Sequence, residues 1–340
     1  MNILYVGSCQ GFREAGKSYY IPKKLVNGFT RNGHNVYAFN DRDFARFSNI
    51  FRSRKWGIRP LNKKLLEVCE EFAPDLIVLG HCEMIWNTTL SAVRETCPGV
   101  KIVYRNVDPL IHEQNVKDIQ RRVGFVDGIF ITTAGEGLKQ FSSPDGFVTF
   151  MPNPVDRAVD TGRSFDNACS VDLFFAGGPL GESDARRDLM TSLLTKRPEL
   201  EIAVHGCGIN KDYLFGKTYM DRLAQSKMGL CLNRTYDYHW YSSDRLTQYM
   251  GNGLVTFLRS GTGFEEFFGN DDLAFYADEA ELLRKLDMFM ADDGYRVAVA
   301  KNGWKKAHEA FSAEKVTQYI LDTTFGDGLT LNYCWPTEKY

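Results

Sequence analysis

The feature that most constrains this chain is an alternation that occurs twice. Short apolar runs are followed by segments of helical periodicity, then a stiff break, then the same pattern again. Before the break the runs are "NILYVG", "GHNVYAF", "APDLIVLG", "GVKIVYR", "VDGIFITT" and "GFVTFMP". After it come "SVDLFFAGG", "LEIAVHGCG", "MGLCLN", "LVTFL" and "LAFYA", and the chain ends in helical segments. Strands that alternate with helices make βαβ units, and βαβ units make parallel sheets. The expected fold is α/β, with two doubly wound, Rossmann-like parallel-sheet domains facing across a cleft.

The break is "FMPNPVDRAV", residues 150–159. Pro152 and Pro154 each fix φ and hold the residue before them extended, which suits a defined linker. The expected division is a first domain over 1–152, a linker over 153–170 in which "DTGRSFDN" (160–167) makes few contacts, and a second domain over 171–312. At 340 residues the chain exceeds what one core usually serves. With 44% hydrophobic and 25% charged residues it is neither disordered nor collagen-like. Its net charge of −2 argues against nucleic acid as a partner. Eight cysteines include no CxxC pair, so buried reduced thiols are expected rather than disulfides or a zinc framework. The N-terminus has no basic leader and no run reaches 18 apolar residues, so neither a signal peptide nor a transmembrane helix is expected.

Ligands of such sheets bind outside the carboxyl ends of the strands, at the switch point. In the second domain the first strand ends in "AGGPLGESDARR". There Gly177 and Gly178 allow close backbone approach, and Ser183 or Asp184 can cap the next helix. Arg186 and Arg187 lie in its first turn, which suits an anion nearby or a solvated face. His205 and Gly206 follow the second strand; the histidine either packs or meets a ligand. The third strand ends at Asn233, before a loop rich in Tyr and Trp. Ser242 or Ser243 is then expected to cap a helix with Arg245 in its first turn and Gln248 one turn on. Phosphate at the helix start and a hydroxylated ring beyond it would suit a nucleoside diphosphate.

The run "SSDRLTQYMGNGLVTF…GFEEFF…LAFYAD…ELLRKL…VAKNGWKKAHEAFS" resembles the C-terminal half of the CgeB-like, spore-maturation-type glycosyltransferases of GT-B fold. The "MPNPVD" break resembles the Pro-Asn-Gly-Val-Asp linker common in GT-B enzymes. The resemblance implies a nucleotide-sugar donor in the second domain, acceptor binding by the first, and no cofactor or metal. It also implies that the last segment, 313–340, crosses back to the first domain. Gln248 departs from the pattern, since such families usually place there a Glu that grips the ribose hydroxyls.

On that reading, Gly177, Gly178, Arg186, His205, Gly206, Asn233, Ser242, Ser243, Arg245 and Gln248 are the donor-site candidates. The acceptor hydroxyl needs a base, and His81, Glu83 and Asp108, with Glu136, follow strands of the first domain. The acceptor is expected to be a glycan or a lipid-linked hydroxyl. The segment from Arg42 to Lys64 holds eight basic residues and one acid, interleaved with Phe44, Phe47, Phe51 and Trp56. It is either a solvated loop or a docking face for an anionic acceptor or membrane surface. The expected location is the cytoplasm, peripheral to the inner face of the membrane. Two other readings stay open: a nucleotide-sugar epimerase of the same architecture, and a non-catalytic nucleotide-sugar or glycan-binding protein.

Overall fold

The computed structural model describes residues 1–9, 20–178, 184–326 and 328–340. Two compact units emerge, Met1–Pro154 with Ala313–Tyr340, and Val155–Ser312. Among the described residues of the first unit, the strands are β1 (Asn2–Val6), β2 (Asn35–Phe39), β3 (Leu76–Leu79), β4 (Lys101–Asn106), β5 (Gly128–Ile131) and β6 (Phe147–Phe150). They pair in parallel in the order β2-β1-β3-β4-β5-β6. Ile3–Val6 and Leu76–Leu79 have no exposed surface, because helices cover both faces of a parallel sheet. The chain steps from β1 to β2 on one side, then crosses to β3 on the other. That reversal opens a crevice between the carboxyl ends of β1 and β3.

The helices of this unit begin with α1 (Ile21–Arg31), whose apolar stripe of Ile21, Leu25 and Phe29 recurs every four residues. The basic segment is not a loop. It folds as α2 (Asp41–Phe47) and α3 (Arg54–Phe72). Asn40 caps α2 by accepting the Asp43 N–H (3.0 Å). Gly57 lets the backbone of α3 touch α2, since a Cβ there would lie 1.8 Å from the Ala45 carbonyl oxygen. Then come α4 (Asn87–Thr96) and α5 (Glu113–Gln120).

In the second unit, β7 (Val171–Gly177), α6 (Ala185–Lys196), β8 (Ile202–Gly206), α7 (Gly216–Ala224) and β9 (Ser226–Cys231) lead to α8 (Arg245–Gly251). After it come β10 (Val255–Arg259), β11 (Ala274–Tyr276), α9 (Glu279–Ala291) and α10 (Asp293–Ala310). The sheet order is β11-β10-β9-β7-β8, so the reversal here lies between β7 and β9. Leu173, Phe175, Leu230, Phe257, Leu282 and Leu286 form the heart of its core.

The segment expected to link the domains with few contacts is packed instead. Asp156, Asp160 and Ser164 are buried. The Gly162 N–H donates to Asn252 Oδ1 (3.0 Å), and Ser164 donates from its N–H to the Asn252 carbonyl (3.1 Å) and from its hydroxyl to that of Gly253 (2.5 Å). The turn after α8 thereby satisfies polar groups that a free linker would leave to water. The chain returns at α11 (Ala313–Phe325), which lies on α1. A Cβ on Gly28 would come 2.3 Å from the Ala313 carbonyl oxygen, and Asn32 Nδ2 donates to the Glu314 carbonyl (2.8 Å). Beyond α11 the tail pairs with the free edge of β6 through Val148 and Tyr340, which exchange both backbone bonds at 3.0 Å. That covers an edge otherwise open to other chains. No described helix is long and apolar enough to cross a membrane.

Candidate active site

Arg245 ties the carboxyl ends of β7 and β9 together at the crevice of the second unit. Its Nη1 donates to the Ala176 carbonyl (3.3 Å) and its Nη2 to the Leu232 carbonyl (2.5 Å). The guanidinium lies 5.2 Å from the centre of the Phe175 ring. Arg245 opens α8, but the N-cap residue is Asp244, and neither Ser242 nor Ser243 caps the helix as expected. Asn233 holds that segment instead: its Oδ1 accepts the Ser243 N–H (2.9 Å) and its Nδ2 donates to the Tyr241 carbonyl (3.0 Å). Ser242 is buried in the same loop. Trp240, also buried, has a φ of 55°, a strained value for a bulky residue. Its N–H donates to the Thr262 carbonyl (2.7 Å), and its ring packs 4.8 Å from that of Phe264.

Gln248 faces inward. It is 4% exposed; its Oε1 accepts from Tyr219 Oη (2.5 Å) and its Nε2 donates to Asp244 Oδ2 (2.8 Å). Those two bonds tie Gln248 into an internal network with Tyr219 and Asp244. Arg186 is similarly engaged. It forks onto Asp184, the N-cap of α6, at 2.9 and 2.6 Å, and its guanidinium holds that carboxyl below the usual carboxylate range. The helix therefore starts with a neutralised pair rather than a free cation. Ser183, the other expected cap, lies outside the described residues, as does the rest of 179–183 in the Gly-rich loop.

Gly177 ends β7, and a Cβ on Gly178 would meet nothing within 4 Å. His205 is packed against Phe174, and its Nδ1 lies 2.9 Å from Asp212 Oδ2. Its Nε2 is buried without a hydrogen-bond partner among the described residues. Gly206 has a φ of +72°, and a Cβ on it would lie 2.2 Å from the Gly177 carbonyl oxygen. Its role is to let two strand ends meet.

Sharing Leu232 and Asn233 with this crevice, a cavity of about 570 Å³ opens over the carboxyl ends of β9, β10 and β11 and the start of α6. Of the expected donor-site residues, its lining includes Arg186 and Asn233. It also includes two cations that the sequence reading missed, Arg234 and Arg259, together with Tyr236 and Tyr276. Arg259 is exposed, with its guanidinium 5.0 Å from the centre of the Tyr236 ring. The signal that could have found both is position: Arg259 is the last residue of β10, and Arg234 stands just beyond β9. Asp184, Asp278 and Glu279 form the acidic part of the wall.

In the first unit the structure brings His81, Glu83 and Asp108 together at the ends of β3 and β4. His81 Nδ1 lies 3.7 Å from Glu83 Oε1 and 3.9 Å from Asp108 Oδ2. Arg42 on α2 places Nη2 3.6 Å from Glu83 Oε2 and donates to the His81 carbonyl (3.4 Å). The His81 ring, then the backbone and Arg42, pull the Glu83 carboxyl down to about 2. A carboxylate that acidic is a poor proton acceptor. Glu136 stands apart, paired with Lys139 (2.6 Å) on an exposed turn.

Sequence reasoning also missed Asp41, at the carboxyl end of β2. It has no exposed surface, neither carboxylate oxygen has a hydrogen-bond partner among the described residues, and burial pushes its carboxyl up to about 7. Among the described residues no group of three or more His, Cys, Asp and Glu could hold a metal ion.

Residues 186–322 match the model of a glycosyl transferase-like family. No curated protein matches the sequence. Among solved structures, the chain is similar to an alpha-glucosyltransferase in complex with UDP and a 13-mer DNA containing an HMU base. The TM-score is 0.66 at 11% identity, over 94% of this chain and 98% of that one. Sucrose-phosphate synthase from Thermosynechococcus elongatus gives 0.60 at 11% identity, over 95% and 98%. Anabaena HepE in complex with UDP and glucose gives 0.56 at 12% identity, over 95% and 99%. Two parallel-sheet α/β domains and these neighbours define the class: the chain has the two-domain GT-B fold.

Proposed function

We propose that this chain is a cytoplasmic, CgeB-like glycosyltransferase that moves a sugar from a nucleoside-diphosphate sugar to a hydroxyl of a glycan or lipid-linked acceptor, without a bound metal. The observation that carries the reading is the cavity of the second unit. It lies where a parallel sheet binds ligands, falls almost wholly inside the family-matched segment, and presents Arg234 and Arg259. Two of the neighbours are named for complexes with UDP, which supports a nucleoside diphosphate as the ligand class.

The chemistry divides between two kinds of group. Departure of the nucleoside diphosphate builds charge on its phosphate, which positioned guanidinium groups stabilise. Arg234 and Arg259 take that role, with Asn233 and the Arg245-tied strand ends setting the floor beneath. The acceptor hydroxyl loses a proton as it attacks the anomeric carbon. His81, whose Nδ1 lies 3.7 Å from Glu83 and 3.9 Å from Asp108, is the group proposed to receive it.

Titration calorimetry with UDP and other nucleoside diphosphates tests the donor site. A charge-assisted hydrogen bond contributes roughly 1.5–3 kcal/mol, so Arg234→Ala and Arg259→Ala should each weaken binding by about ten- to a hundredfold. A double variant that binds as tightly as wild type would remove the donor from this cavity. Incubation with nucleotide sugars then separates the activities. Slow donor hydrolysis or transfer that survives EDTA supports the proposal, an isomerised nucleotide sugar identifies an epimerase, and binding without turnover identifies a binding protein.

A further inference from the structure

The tip of the α2–α3 hairpin exposes side chains that protein surfaces usually cover. Ile50 is 90% exposed, and Phe51 and Trp56 are each 67% exposed. The Phe51 and Trp56 rings lie 5.4 Å apart, and Phe47 beside them carries Arg52 over its ring at 6.0 Å. Arg52, Arg54, Lys55 and Arg59 are all exposed, and no acidic residue occurs from Phe47 to Pro60. The nearest acids are engaged elsewhere: Asp43 with Arg46, and Glu67 with Lys63 and Lys64. In a chain of net charge −2 this is a local excess of four cations around an apolar patch.

The exposure is built into the fold. Asn49 Nδ2 donates to the carbonyls of Ala45 (2.9 Å) and Ser53 (2.8 Å), and its Oδ1 accepts the Ser53 N–H (3.1 Å). Arg52 takes a φ of 49° to close the turn, and Gly57 clamps α3 against α2. A tip tied in this way holds Ile50 and Phe51 outward.

We propose that this tip docks on a bilayer surface bearing anionic lipids. Ile50, Phe51 and Trp56 enter the interfacial layer, where Trp is at home, and the four cations meet the headgroups. Nucleic acid would engage the cations and leave Ile50 and Phe51 in water, whereas a lipid surface engages both. The docked tip also lies close to the acid–base cluster. The seven residues of α2 span roughly 10 Å, and Arg42 at its start holds Glu83. A lipid-linked acceptor follows from that nearness, a consequence that rests on the transferase reading; the docking does not.

Flotation of the full chain with vesicles tests it, using phosphatidylcholine alone and phosphatidylcholine mixed with phosphatidylglycerol. Binding is expected to the mixed vesicles only, and to weaken as salt screens the patch. Each basic residue at such a surface contributes roughly fivefold, so the combined Arg52→Gln, Arg54→Gln and Lys55→Gln variant should lose about a hundredfold. Ile50→Ser with Phe51→Ser should also release the protein, while nucleotide binding and the thermal midpoint stay as in wild type. No binding to mixed vesicles at low salt would overturn the proposal. So would binding that the Ile50 and Phe51 substitutions leave unchanged and a double-stranded oligonucleotide competes away, since that marks a general polyanion site.

Discussion

Asp41→Asn isolates a fully buried carboxyl of the first unit. Burial strips water from the wild-type carboxyl and pushes it up to about 7 in the folded chain. Arg42 lowers the value and Glu83 raises it, and Cys9 and Cys82 also lie within electrostatic reach. An unfolded Asp titrates near 3.8. Between those values the folded state binds the extra proton, so stability is full below about 4 and falls as pH rises through about 7. A gap of about three pKa units corresponds to roughly 4 kcal/mol. Asn keeps the shape and removes the titration, though its amide also lacks partners, which costs about 1–3 kcal/mol at every pH. Denaturant unfolding of both proteins at about pH 5 and about pH 8 should therefore show a crossover. Asp41→Asn is equal to or less stable than wild type in acid, and more stable in mild alkali by about 1–3 kcal/mol. Glu83 works in the opposite sense, since its depressed carboxyl adds stability that is lost as pH falls toward about 2, but both proteins share that contribution. A difference between the two proteins that does not change with pH would refute the reasoning, because it would mean that Asp41 carries no extra proton in the folded chain.

Two further substitutions test the geometry of the second unit. Arg245→Met removes the donors that bridge the Ala176 and Leu232 carbonyls, so the denaturation midpoint should fall by the equivalent of about 2–3 kcal/mol; an unchanged midpoint with strongly weakened nucleotide binding would instead make Arg245 a ligand contact. Gly206→Ala places a Cβ 2.2 Å from the Gly177 carbonyl oxygen at a φ of +72°, so it should destabilise by at least about 1–3 kcal/mol and disturb the strand ends that frame the crevice; wild-type stability in a calorimetric scan would show that those strand ends do not meet as closely as described.

The strands were legible in the sequence for a physical reason. A strand covered on both faces must be apolar throughout, as Leu76–Leu79 and Phe174–Phe175 are, and such runs stand out against helical periodicity. The helices between them forced the pairing to be parallel, and parallel sheets bind at their carboxyl ends, so His81, Glu83, Asp108, Asn233 and Arg186 could be singled out before their neighbours were known. The hairpin of α2 and α3 was harder to see, because its buried contact rests on Gly57 meeting a backbone rather than on an apolar stripe, and Pro60 interrupts the helical signal. Only the tertiary structure decided what each polar side chain is bonded to. Periodicity reports which face a residue occupies; it is silent on the partner, because the partner arrives from a distant part of the chain. Arg245 was singled out for a phosphate, and the sequence could not show that it also donates to the Ala176 and Leu232 carbonyls. Gln248 was singled out for a ribose, and the sequence could not show that Tyr219, on α7, donates to its oxygen. Arg234 and Arg259 passed unnoticed until two strand ends, separate in sequence, were laid side by side around one cavity.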